Sequence, residues 1–317
     1  MFARRNRSVR KKRKNEKNTA MAQALVQTLS DLQKHQIRVE YAEPDAALPI
    51  GESKIGGNPD VPEGFSFPYY EGEGMDDTVK NRPLSFLAQI DLKGAAKYDE
   101  EGLLPRSGLL SFFYELDSQK WGFDPRDKGC ARMFYFPEGT QLVRTPLPGE
   151  LAEEYRVPEL AVTLKREISL PDWEDFSEQQ VSAELEKQFD GWKDWVLEDE
   201  NYENARTALG LNPEEDEVTK LLGWPDVIQN AMQEECEIVT RGYYTGDPEG
   251  YAKIPQSENP DIAEKSRDWL FLFQMDTVET EDYELKFGDC GRIYFWIRNQ
   301  DLEKQNFDNI WLIGQCY

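Results

Sequence analysis

The sequence predicts an α+β fold of largely antiparallel β-sheet flanked by helices. Three observations carry that expectation. Aromatic and branched residues gather in short runs between turn residues, as they do in strands. Elsewhere apolar residues recur at helical spacing. And three short blocks of sequence appear twice, in the same order, which points to sheets built by an internal duplication.

The elements follow in order along the 317 residues. Residues 1–20 hold nine Lys or Arg, one acid (Glu16) and few apolar side chains, and are expected to be a disordered basic tail. The remainder, 21–317, reads as one domain. It opens with MAQALVQTLSDLQKHQ, where Leu25, Leu29 and Leu32 fall on one helical face. Residues 41–82 are rich in Pro, Gly and acids and are expected to be mostly loop. Strands are expected in PLSFLAQIDL (83–92), GLLSFFYEL (108–116) and ARMFYF (131–136). A helical insert, about 175–210, carries Val181, Leu185, Phe189, Trp192 and Val196 at helical spacing. A further helix is expected from Pro225 to about Glu235. Strands return in DWLFLFQMD (268–276), GRIYFWI (291–297) and NIWLIGQCY (309–317).

The repeated blocks are KIGGNPDV (54–61) with KLLGWPDV (220–227), FLAQID (86–91) with FLFQMD (271–276), and CARMFYF (130–136) with CGRIYFW (290–296). They define two related halves, about 50–145 and 216–317, joined by the helical insert. A shared site would then lie at the seam between the halves. Its candidates are Gln89, Asp91, Arg132, Gln274, Asp276 and Arg292. Side chains alternate across a strand, so each Gln shares a face with the Asp two residues on. Arg132 and Arg292 are the expected partners of Asp91 and Asp276, because a guanidinium fork matches a carboxylate. Two roles are open to these clusters. They are Arg–Asp clamps that fix strand register, or polar groups that bind an anionic or amide-bearing ligand. The clamp is favoured, since structural ion pairs are common. It makes Asp91→Ala cost about 3–5 kcal/mol.

Charge and motif exclude several functions. Acidic residues number 61 against 37 basic, a formal charge of −24. Outside the first 20 residues the balance is 60 acids to 28 bases, or −32. A nucleic-acid binder needs the opposite sign. No apolar run approaches a membrane span of about 18 residues. The single histidine, His35, reads as a surface residue and leaves no His-based triad or zinc site. Cys130, Cys236, Cys290 and Cys316 form no CxxC pair and read as reduced, mostly buried thiols of a cytoplasmic protein. No metal site and no cofactor are expected. The Gly-Pro blocks read as turns rather than phosphate loops, lacking the phosphate-loop pattern. WGFDPRDKG (121–129) reads as a loop anchored on the sheet by Trp121 and Phe123, and the run Glu214–Glu217 as solvated surface.

SKIGGNPDVP, PLSFLAQIDL, GLLSFFY, WGFDPRDKG, LLGWPD, FGDCGRIYFWI and the terminal WLIGQCY together resemble the YwqG-like family, a domain of unknown function common in bacteria. The resemblance spans roughly 40–317. It implies an α+β fold with much antiparallel sheet and brings no reaction, cofactor or catalytic residue. Its genomic setting near secreted toxins implies an immunity or accessory role. The functional expectation is a non-enzymatic, acidic, cytoplasmic protein-binding module with a basic partner such as a toxin domain. The alternative is a small-molecule or metal-binding protein with its site at the seam.

Overall fold

Six aromatic-rich runs and four other segments pair into one ten-stranded sheet in the computed structural model, which describes residues 2–74, 78–198, 200–211 and 218–317, with backbone alone for 2–11. Its strands are β1 (Lys34–Ala42), β2 (Lys54–Ile55), β3 (Ser85–Asp91), β4 (Leu109–Tyr114), β5 (Ala131–Phe136), β6 (Leu160–Ser169), β7 (Lys220–Leu221), β8 (Trp269–Met275), β9 (Arg292–Arg298) and β10 (Trp311–Gln315). The spatial order is β10-β9-β8-β7-β1-β6-β2-β3-β4-β5. It reads the same way outward from the central β1 and β6. Each wing holds a two-residue strand, a Gln-x-Asp strand, its partner and an edge strand.

The two wings match in register. Lys54 lies opposite Gln89 in one, and Lys220 lies opposite Gln274 in the other. A register shift interrupts β3/β4 between Phe86 and Ala88, and another interrupts β8/β9 between Phe271 and Phe273. The turn after each two-residue strand also repeats: Gly56 has φ +58° and Leu222 has φ +59°. An L side chain tolerates that region poorly, so Leu222 holds a conformation for which glycine is the usual residue.

One of the three sequence repeats is corrected by this register. Phe112 of β4 lies opposite Ala88, and Phe295 of β9 lies opposite Phe273, so β9 occupies the place of β4. The Cys130–Phe136 segment forms β5, the edge strand, whose counterpart is β10. Cys-x-Arg followed by aromatics is a short local pattern. Strand position is decided by long-range pairing, which that pattern does not encode.

The sheet curls so that its wings meet through aromatic rings. Phe112 lies 4.3 Å from Phe273 and 5.4 Å from Phe295, centroid to centroid. Around them Leu87, Ile90, Leu110, Leu272, Met275 and Ile293 are fully or almost fully buried. On the outer face of β8–β10, Phe271, Tyr294, Trp296 and Ile313 pack under Met232 and Cys236. These strands are thus buried on both faces, as their uninterrupted apolar runs require. The sheet belongs to a unit made of 35–167 and the described part of 217–317.

The other unit takes the described residues of 1–34 and 168–216 and is helical. Helix α1 (Phe2–Asp31) includes the segment expected to be disordered. It has no Gly or Pro, and its Arg, Lys and Ala are good helix formers. Only its second half is amphipathic, burying Met21, Leu25 and Leu29. They pack with Leu170, Phe176, Trp192 and Tyr202. After the four-residue helix α2 (Leu92–Ala95) in the sheet unit, the insert supplies α3 (Trp173–Ser177), α4 (Gln180–Gln188), α5 (Trp192–Leu197) and α6 (Asn201–Ala208). A single helical pattern therefore splits into four. One break is Gly191, whose φ of +72° starts a new helix.

The stretch 41–82 is mostly loop among its described residues, as expected, and also carries β2, Asp60–Pro62 paired with Leu142–Arg144, and Tyr69–Glu73 paired with Val79–Pro83. Two further expectations shift. The helix expected at 225–235 lies instead at α7 (Gln233–Thr240), because the Asp226 N–H is taken by Gln274 in a corner described below. His35 stands in β1 rather than on a helix. The run 214–217 lies outside the described residues.

Candidate functional site

Four of the six candidate residues fall at two buried corners, where the Gln-x-Asp strands meet the two-residue strands. In the first, Gln89 donates to the Glu52 carbonyl at 2.8 Å and to Asp60 Oδ2 at 2.7 Å. The Asp60 N–H donates back to Gln89 Oε1 at 3.0 Å. In the second, Gln274 donates to the Val218 carbonyl at 2.7 Å and to Asp226 Oδ2 at 2.6 Å. The Asp226 N–H returns the bond at 3.0 Å. Both glutamines are fully buried and use each end of the amide, as a buried amide must.

A buried lysine completes each corner. Lys54 Nζ donates to the Asn58 carbonyl at 2.6 Å and to Glu159 at 2.7 Å. Lys220 Nζ meets Asp226 Oδ1 at 2.6 Å. Arg144 adds a second cation to the first corner through Asp60 at 2.9 Å. Arg292 adds one to the second through Asp276. Each corner therefore holds two cations and two carboxylates. The charges are matched within the corner, which is the condition for burying them at all.

Asp91 and Arg132 do not form the clamp expected of them. Asp91 caps helix α2, accepting from the N–H groups of Lys93 at 3.1 Å and Gly94 at 2.9 Å. Its cross-strand neighbour is Leu109. Arg132 lies on the edge strand β5 and reaches Asp308 at 3.3 Å near the surface. Asp276 and Arg292 do pair, because β9 stands beside β8. The structure thus gathers Gln274, Asp276 and Arg292 in one corner and Gln89 in the other, and leaves Asp91 and Arg132 out. The cavities of about 260 and 410 Å³ are lined by other residues.

The residues that sequence reading missed are Lys54, Asp60, Lys220 and Asp226. Their signal was present. Lys and Asp recur at one spacing around the same Gly-Pro pair in both KIGGNPDV and KLLGWPDV. Read as turn chemistry, those blocks had no need of a charged pair.

The ionisation of the first corner follows from its partners. Burial pushes the Lys54 ammonium below its ordinary 10.5, against the pull of Glu159 and Asp60. Burial also pushes Asp60 up, but Arg144, the Gly51 N–H, Gln89 and Lys54 outweigh it and hold the carboxyl below its ordinary 3.8. In the second corner burial opposes the Arg292 charge, and Asp276 more than restores it. For Asp60 the folded carboxyl sheds its proton more readily than the unfolded one. Its contribution is whole above about pH 4 and disappears as pH falls through the lowered folded value. Asp60→Asn is therefore expected to flatten the acid limb of the melting-temperature profile. An unchanged acid limb in that variant would refute the assignment.

His35 sits between Glu101 at 3.0 Å and Arg166 at 3.1 Å. Cys130 and Cys236 are buried, and burial drives both thiols well up. Cys290 is exposed, which corrects its reading as a buried thiol. Among the described residues no group of three His, Cys, Asp or Glu is disposed to hold a metal ion. No described helix is long and apolar enough to cross a membrane.

No curated protein matches the chain. A family model does, described as a domain of unknown function (DUF1963), over residues 53–316. That span begins at the first corner, takes in both wings and ends on the last strand. The chain belongs to this DUF1963 family.

Proposed function

We propose that the chain is a non-enzymatic binding module whose acidic body takes a basic protein partner. One observation carries the reading. At both corners the charges are matched two against two, so the excess of 60 acids over 28 bases outside the first 20 residues falls outside these corners and gives the body a negative field. Such a field raises the encounter rate with a basic protein and repels nucleic acid. The motif blocks support reading the family as YwqG-like, and with it an immunity or accessory role against a basic toxin domain. The four unpaired cysteines support a reducing, cytoplasmic setting. The equal registers, bulges and corner bonds of the two wings support descent from a duplicated unit. The seam reading loses its donors and acceptors, because Gln89 and Gln274 spend theirs inside the corners.

The test is a pull-down of the full chain from its native host at low and high salt. One stoichiometric basic protein, lost at high salt, is the expected result. Recovery of no specific protein at low salt would count against the reading.

A further inference from the structure

A cavity of about 260 Å³ opens between the Tyr69–Glu73/Val79–Pro83 hairpin, the start of β3 and the residues that follow β4. Pro83, Leu116 and Leu151 give it an apolar wall. Its one buried cation is already engaged. Arg82 binds Asp117 and donates to the carbonyls of Gly72 and Thr78. Asp117 also accepts the Tyr155 hydroxyl at 2.9 Å, and burial together with that bond pushes the phenol up to about 12. Arg82 and Asp117 thus cancel within the wall.

Two lining groups are left over. Glu115 is 1% exposed and accepts neutral donors alone: the N–H groups of Asp117 at 2.9 Å and Ser118 at 3.0 Å, and the Ser118 hydroxyl. Among the described residues no Lys or Arg forms an ion pair with it. Ser85 is also 1% exposed, and its hydroxyl has no hydrogen-bond partner among the described residues. The buried hydroxyl without a partner carries an uncompensated desolvation cost, and the buried carboxylate, held by neutral donors alone, keeps its charge unmatched. Both line the same cavity.

We propose that this cavity binds an alkylammonium group, with its stem along Pro83, Leu116 and Leu151 and its ammonium directed to the Glu115 carboxylate and the Ser85 hydroxyl. An ammonium has three donors and no acceptor, which suits two acceptors beside an apolar wall. Anions are disfavoured, since Glu115, Asp117 and Glu150 line the cavity against Lys80 and Arg82. A hard divalent cation asks for six or more oxygens, more than Glu115 and Ser85 offer. The size also fits. A cavity of about 150 Å³ admits benzene, so this one has room for a chain of roughly five carbons and its head group. The site stands whether or not a basic protein docks elsewhere on the surface. The ammonium has two sources, a free amine or the lysine side chain of a partner.

Calorimetric titration of the full chain tests this. The probes are n-butylamine and cadaverine as free amines, and Nα-acetyl-lysine methylamide with its Nε-acetylated counterpart as the control. Saturable one-site binding is expected for the ammonium compounds and not for the acetylated control. Glu115→Gln is expected to weaken binding at least tenfold. Ala152→Trp, which fills the cavity and leaves Glu115 in place, is expected to abolish it, in variants whose thermal melts stay cooperative. Tighter binding of the free amines assigns a small-molecule ligand, and tighter binding of the lysine derivative assigns a protein side chain. Absence of saturable binding by every amine would overturn the proposal, as would wild-type affinity in both variants. An empty pull-down would leave these titrations unaffected.

Discussion

Asp276→Ala is expected to destabilise the protein by about 3–5 kcal/mol, whereas Asp91→Ala is expected to cost only about 1 kcal/mol. The two aspartates end matching Gln-x-Asp strands and are the same residue in the sequence repeat. Their surroundings differ. Asp276 is 4% exposed and faces Arg292, itself 6% exposed, on the adjoining strand. Truncating Asp276 takes away the carboxylate that pairs with this buried guanidinium, and the charge loses that compensation. Truncating Asp91 removes the cap of a four-residue helix and strands no charge. Thermal or denaturant unfolding of the two variants measures the difference. The double variant Asp276→Leu/Arg292→Met is expected to recover most of the loss, because replacing a buried pair by apolar groups of similar volume is near neutral. Equal costs for the two alanine variants would show that Arg292 does not depend on Asp276.

That asymmetry shows what a sequence can and cannot reveal about this fold. The aromatic-rich strands were legible because an apolar run such as FLFQMD is selected residue by residue for burial on both faces. The two-residue strands were not, since two residues have no period. Yet these strands place Lys54 and Lys220 beside the glutamines and so create the corners. Strand β1 was hidden by continuity. Its sequence follows α1 without a proline or glycine between them. The partner of each aspartate was illegible for another reason. Arg132 and Arg292 have the same local surroundings, Cys-x-Arg before aromatics. Which of them stands beside an aspartate depends on whether the strand is second from the edge or at the edge. That is a property of pairings between residues far apart in sequence.

The same logic applies where the sheet ends. Strand β10 is an edge, and an unpaired edge is a template for association. Here the loop read from sequence as anchored by Trp121 and Phe123 covers it through backbone contacts. Gly314 N–H donates to the Trp121 carbonyl at 2.9 Å, and the Trp311 indole donates to the Gly122 carbonyl at 2.9 Å. Gly122 has φ +79°, and a Cβ placed on it would stand 1.8 Å from the Leu312 carbonyl oxygen. Gly122→Ala must therefore push the loop off the strand. The expected cost is on the order of 3 kcal/mol, from the strained φ and from backbone and indole groups losing their partners. Gly129→Ala separates the two causes. Gly129 has φ +96° in the same loop, but a Cβ there meets nothing within 4 Å. It is expected to cost about 1 kcal/mol, the conformational share alone. Unfolding measurements on both variants give the difference, and light scattering on Gly122→Ala reads the uncovered edge as self-association on warming. If Gly122→Ala were no less stable than Gly129→Ala and stayed monomeric, the loop would not be what protects β10. The closure of the sheet would then rest on the aromatic contacts between its wings.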